Sequence, residues 1–135
     1  MLIPTPASPV ILTGEYIPEN FLLGEAPDGW QVTGLIDFGD VMTGWGEYDL
    51  LGPSTFMAGG KPGRIRSLLR GFGYTDAQLD GALRRRLMTL FLLHRFSEPA
   101  SQVRIDGWQD MARTLPALER LIWPIGGDTT GLSGL

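Results

Sequence analysis

The sequence contains no cysteine, which excludes disulfides and thiolate metal sites and fits a cytoplasmic setting. Its one histidine, His94, is too few for a histidine-rich metal centre. Residues 1–9 carry no basic side chain and no apolar core of signal-peptide length. The longest apolar stretch, Leu87 to Leu93, is interrupted by Thr89 and falls far short of a bilayer span. Secretion and membrane insertion are therefore not expected. Charged residues are sparse at 19%, and acids outnumber bases to leave a net charge of −4. That balance argues against nucleic-acid binding, which depends on lysine and arginine meeting phosphates. It is compatible with a small polar substrate of cationic character, while chiefly keeping the domain soluble.

What is present is enough for one domain with its own core: 135 residues, 43% of them hydrophobic. The 19 glycines and 10 prolines gather at loop positions and at both ends. Residues 1–9 read as an extended lead-in. Val10-Ile11-Leu12 is a short β-branched run that ends at a loop, Thr13 to Asn20. Phe21-Leu22-Leu23 and Gln31 to Phe38 read as strands joined by turn chemistry over Glu25-Ala26-Pro27-Asp28-Gly29. Residues 10–40 are thus a loop followed by a β-hairpin, and residues 41–125 read as helical.

Within that helical part, Glu47 to Met57 predicts a short helix and Arg64 to Phe72 a second, stopped by Gly73. Thr75-Asp76-Ala77-Gln78 is a capping box that starts a long helix running from Asp76 to about Phe96. Leu79, Leu83, Leu87, Leu90, Phe91 and His94 mark its apolar face, with Arg84, Arg85 and Arg86 on the solvated side. A last helical region, Trp108 to Trp123, is bent or divided near Pro116. Residues 126–135 are rich in glycine, serine and threonine and are expected to form a mobile tail. The fold class expected is α+β.

Two segments carry chemistry. Glu15 and Asn20 have the spacing of the acid and amide in the kinase catalytic loop H-R-D-x-x-x-x-N, and Ile36-Asp37-Phe38-Gly39-Asp40 contains a D-F-G. Phosphoryl transfer needs a positioned base, and magnesium held by hard oxygen ligands. Glu15, Asn20 and Asp37 offer such oxygens from a loop and a strand end that a hairpin brings together.

These residues resemble the aminoglycoside phosphotransferase family, related to choline and homoserine kinases, over Val10 to Leu51. There the loop approximates H-G-D-x-H-P-G-N and the later segment I-D-F-x-D/E. Gly14, Pro18, Asn20, Ile36, Asp37, Phe38 and Asp40 stand at matching positions. Glu47-Tyr48-Asp49-Leu50 is similar to the family's Y-D-L segment, and Val32 to Asp40 looks most like hygromycin-type antibiotic kinases. The resemblance implies a protein-kinase-like C-terminal lobe that uses ATP and Mg2+. It makes Glu15 the catalytic base, Asn20 and Asp37 cofactor-binding residues, and Asn20, Asp37 and Asp40 the metal ligands. Asp49 would brace the catalytic loop from a helix.

Two departures stand out: Thr13 replaces the family histidine, and Glu15, one methylene longer, replaces the aspartate. Residues 1–12 contain no glycine and no lysine, so the nucleotide-clamping N-lobe is expected to come from upstream in a longer product. Its apolar contact surface would otherwise favour self-association into a homodimer. The residues therefore fit two functions, a small-molecule O-phosphotransferase lobe or a non-catalytic remnant lobe acting as a binding module. Elsewhere, His94 reads as a hydrogen-bonded core or pocket residue, and Trp45, Trp108 and Trp123 as core fillers. Asp106, Asp110 and Glu119 read as surface carboxylates, in the region where the family binds its substrate's amino groups.

Overall fold

Four short strands, β1 (Val10–Leu12), β2 (Phe21–Ala26), β3 (Gly29–Leu35) and β4 (Met42–Gly44), form two antiparallel pairs in the computed structural model, which describes residues 8–95 and 97–126. Residues 1–7 of the expected lead-in, Phe96 and the tail from residue 127 lie outside the described residues, and the long helix expected to run to about Phe96 stops at Leu93, where His94 turns extended. The β2–β3 hairpin closes at Ala26 opposite Gly29, so Glu25 and Ala26 belong to the strand and the turn narrows to Pro27-Asp28. β3 stops at Leu35 instead of running to Phe38, because Asp37 takes a left-handed conformation (φ +62°) that no strand accommodates. β1 pairs with β4, Val10 opposite Gly44 and Leu12 opposite Met42. A strand therefore lies in a stretch expected to be helical, and this pairing pulls both ends of the motif region together.

The segment expected as one helix, Glu47 to Met57, is a 3-10 helix (Gly46–Leu50) followed by a wide π-helical turn (Pro53–Met57). Pro53 has no N–H to continue a regular ladder, and the Ser54 and Thr55 hydroxyls bond back to the Leu51 carbonyl at 3.1 and 2.7 Å. Helix α1 (Pro62–Gly71) buries Ile65 and Leu69, and Gly73 beyond it takes φ +110°. The Gln78 side chain accepts the Thr75 N–H at 2.9 Å, yet the turn it caps ends at once. Asp80 is the working cap: its carboxylate accepts the Leu83 N–H at 2.8 Å and starts α2 (Gly81–Leu93). Two single turns follow, α3 (Pro99–Gln102) and α4 (Trp108–Met111). Then comes α5 (Leu115–Ile122), whose first turn holds Pro116, the position where a missing N–H costs least.

The core lies where α1, α2 and α5 meet: Ile65, Leu69, Leu83, Leu87, Phe91, Ile122 and Trp123 are almost wholly buried. Trp45 and Trp108 pack against its edge. The three arginines of α2 correct the expectation of a solvated face. Only Arg85 is exposed. Arg84 is buried, donating to Glu119 at 3.0 Å and to the Ile125 carbonyl at 2.7 Å. Glu119 is thereby a buried ion-pair partner and not a surface carboxylate. Arg86 makes a two-pronged pair with Glu47, both contacts at 2.7 Å, and the Tyr74 hydroxyl donates to the same carboxylate. No helix among the described residues is long and apolar enough to cross a membrane. One hairpin face stays bare: Leu23 and Val32, directly opposed, and Trp30 are 58%, 61% and 68% exposed.

Candidate functional site

The loop between β1 and β2 is folded on itself by its own backbone. The Glu15 carbonyl accepts the Ile17 N–H at 2.9 Å and the Asn20 side-chain amide at 3.1 Å. Pro18 then opens a 3-10 turn, Pro18–Asn20, that leads into β2, and the Asn20 carbonyl accepts the Ile36 N–H at 3.0 Å. Buried Asn20 thus ties the loop to the residue before Asp37. With its Nδ2 committed to the loop, its Oδ1 is the atom suited to a cation.

The loop is gripped from two further sides. The Asp49 carboxylate, on the 3-10 helix Gly46–Leu50, accepts the N–H of Thr13 at 2.8 Å and of Gly14 at 3.0 Å, and the Thr13 hydroxyl at 3.3 Å. Gly14 sits at φ +76°, where a Cβ would stand 2.9 Å from the Asp40 carbonyl oxygen. Gly52 meets the loop likewise, its absent Cβ 2.8 Å from the Tyr16 carbonyl. The loop therefore lies in near backbone contact with the D-F-G-D segment, and a larger residue at Gly14 would force them apart.

Asp37 follows the end of β3 with its left-handed backbone, a conformation aspartate tolerates better than most residues. Its carboxylate accepts the Gly39 N–H at 3.3 Å. Asp40 is paired with Arg95, 2.7 Å away. Removal from water, then the charges of Asp40 and Asp37, push the Glu15 carboxyl above the usual carboxylate range, with Arg95 opposing. Glu15, Asp37 and Asp40 thus feel one another electrostatically. They do not form a ready-made cage, since no three His, Cys, Asp or Glu among the described residues converge closely enough to hold a metal together. Magnesium does not require one: it is commonly held by one or two carboxylates together with substrate phosphates. The donors present, two carboxylates and an amide oxygen beside a carboxyl crowded by negative charge, fit that chemistry.

The raised Glu15 carboxyl has a consequence for stability. The folded state holds the Glu15 proton more tightly than the unfolded chain, where the group titrates near 4.5. Its contribution is therefore fully present at low pH and is lost as pH rises from there through the folded value. Glu15→Gln, neutral throughout, is expected to raise the urea midpoint at pH 7 and to lose that advantage in acid. Equal midpoints at pH 7 would show that neither removal from water nor the neighbouring carboxylates penalise the Glu15 charge.

Behind the loop lies a cavity of about 180 Å³, walled by Glu15, Tyr16, Tyr48, Phe56, Phe91 and His94. Tyr48 and His94 stack at 4.6 Å, and burial followed by the Arg95 charge holds the imidazole below its usual pKa. His94 is thus a half-buried pocket wall, at the end of α2. Asp106 and Asp110 are exposed and do not line this cavity. Two contributors were not singled out in the sequence: Arg95, which adjoins the apolar stripe of α2, and Gly52, whose place against Tyr16 no local pattern reveals.

Compared with known families, residues 2–87 match the family model described as the phosphotransferase enzyme family. No curated protein and no solved structure gives a significant match to the chain.

Proposed function

The chain belongs to the phosphotransferase enzyme family, and we propose that it is the C-terminal lobe of an ATP-dependent kinase of small molecules. In this reading the γ-phosphate of ATP passes to a substrate hydroxyl. The observation that supports it is the Asp49-braced loop, closed against Asp40, whose Glu15 carboxyl feels the charges of Asp40 and Asp37. Glu15 is the base: its carboxylate accepts the hydroxyl proton as the oxygen attacks phosphorus and ADP departs. A carboxyl raised toward the working pH is the better base for this step. Asn20, Asp37 and Asp40 would hold Mg2+, which when bound neutralises charge between the phosphates.

The cavity beside Glu15 is where the hydroxyl-bearing arm of the substrate would enter, flanked by the Tyr48–His94 stack. The net charge of −4 favours a small polar substrate with cationic groups, and a hygromycin-type antibiotic is one such compound. A cytoplasmic setting, where ATP is plentiful, goes with this reading. Completion of the nucleotide site by an N-lobe is part of it, and the bare apolar hairpin face supports contact with such a lobe or with a second copy.

A second reading, a non-catalytic lobe that binds without transferring phosphate, is favoured by Thr13 and Glu15, which depart from the family's histidine and aspartate. Calorimetric titration with magnesium-ATP, with Asp37→Asn as control, separates the possibilities when followed by transfer assays with a matching N-lobe supplied. Saturable binding lost in the variant, and magnesium-dependent transfer to a hydroxyl substrate, are the expected results. Binding without transfer across a broad panel of hydroxyl compounds would leave the second reading in place.

A further inference from the structure

Arg95 lies just past the end of α2, and its Nη2 is 2.7 Å from Asp40 Oδ2. The two side chains are 41% and 39% exposed, so the pair can open without unpacking the core. A cation built into the chain therefore already sits on Asp40, one of the carboxylates that a divalent ion would use. Asp40 lies where the backbone runs close beside Gly14 of the loop, near enough that a Cβ there would meet its carbonyl oxygen. Arg95 presents the pair from a long side chain just past a helix end.

Guanidinium and magnesium want the same oxygens for different reasons. Arginine pairs with carboxylates through a planar fork and is weakly hydrated. Magnesium demands a tight octahedral oxygen shell. A guanidinium 2.7 Å from Asp40 Oδ2 takes up one of the carboxylate's acceptor directions and repels a second cation brought to the same group.

We propose that Arg95 is an internal counter-cation of the metal site, holding Asp40 when no divalent ion is bound and yielding it when one enters. Arg95 thereby sets how tightly the site takes its metal. This inference rests on the phosphotransferase reading of Asp37 and Asp40. It gives a variant effect opposite in sign to ordinary damage, since removing a structural ion pair weakens binding whereas removing a competitor strengthens it.

The test uses the whole chain and Mn2+, a spectroscopic stand-in for Mg2+ at oxygen sites, followed by its EPR signal. Arg95→Gln is expected to bind Mn2+ about five- to ten-fold tighter than the unaltered chain, the scale of an exposed ion pair plus one removed repulsion. Arg95→Lys, which keeps the charge, is expected to stay close to the unaltered chain. The advantage of Arg95→Gln should shrink as salt screens the pair. Adding Asp37→Asn to Arg95→Gln should abolish the tight binding. If Asp37-dependent binding is present but Arg95→Gln leaves it equal or weaker, the counter-cation role is overturned and the metal site stands. If neither chain shows Asp37-dependent binding, the reading of the site itself fails and the inference falls with it.

Discussion

Asp49→Ala is expected to cost about 3 kcal/mol of folding stability, because it removes charge-assisted hydrogen bonds and leaves two half-buried N–H groups without an acceptor. One carboxylate receives the Thr13 N–H, the Gly14 N–H and the Thr13 hydroxyl at 2.8, 3.0 and 3.3 Å. Among the described residues, no other hydrogen bond ties Thr13 or Gly14 to the helix that carries Asp49. Glu15 follows directly, so the loss of the brace frees the proposed base as well as the loop. Asp49→Asn keeps an acceptor oxygen but not the charge, and is expected to cost about half as much. Urea denaturation measures the difference in stability. Amide exchange locates it: Thr13 and Gly14 should lose protection in Asp49→Ala while the amides of α2 keep theirs. Asp37-dependent nucleotide binding should weaken in parallel. Unchanged protection at Thr13 and Gly14 would show that the loop is held by something other than Asp49.

The brace also shows what a sequence can and cannot reveal. Loop, hairpin and α1 were legible because their determinants are local: a Pro-Asp turn, β-branched runs, apolar spacing and a terminal glycine. The onset of α2 was misread because two capping signals compete within six residues, Thr75-x-x-Gln78 and Asp80. The second wins because the Asp80 carboxylate reaches the Leu83 N–H while Leu79 has already left helical geometry. β4 was missed because its partner, β1, lies on the far side of the whole hairpin, and its three residues carry no pattern of their own. Arg84 and Glu119 were misassigned for a different reason. Apolar periodicity treats every charge as a mark of the outside, yet two opposite charges can satisfy each other inside. A signal was there to be read: Glu119 lies between Leu118 and Ile122 on the inward stripe of α5, and Arg84 shares the stripe of Leu87, Met88 and Phe91. In the site, residue identity and spacing pointed to Glu15, Asn20 and Asp37, and the family resemblance added Asp40 and Asp49. The pairing of Arg95 with Asp40 could not be read, since it joins residues far apart in the sequence that share no local pattern.

The second large effect follows from Glu47, two residues before Asp49 on the same 3-10 helix. Its buried carboxylate takes both prongs of Arg86 at 2.7 Å and the Tyr74 hydroxyl. Desolvation and then Glu47 push the Tyr74 hydroxyl well above its usual pKa, so it remains a donor at any physiological pH. Glu47→Ala would strand a largely buried guanidinium and a phenol hydroxyl at once, a loss of about 3–5 kcal/mol. Glu47→Gln keeps one acceptor for Tyr74 but cannot meet both prongs of Arg86, and should fall between the two. Arg86→Met is the informative partner. In the Glu47→Leu background it should restore much of the stability, because a buried ion pair replaced by apolar side chains of similar size is often tolerated. Chemical denaturation of the four chains of this cycle gives the coupling directly. The same cycle bears on the site, since Glu47 fixes the helix that aims Asp49 at Thr13 and Gly14. If stability returns in the double variant but loop protection does not, the ion pair orients Asp49 as well as anchoring α2. If both return together, any packing that fixes this helix positions the loop, and the charges themselves are dispensable to it.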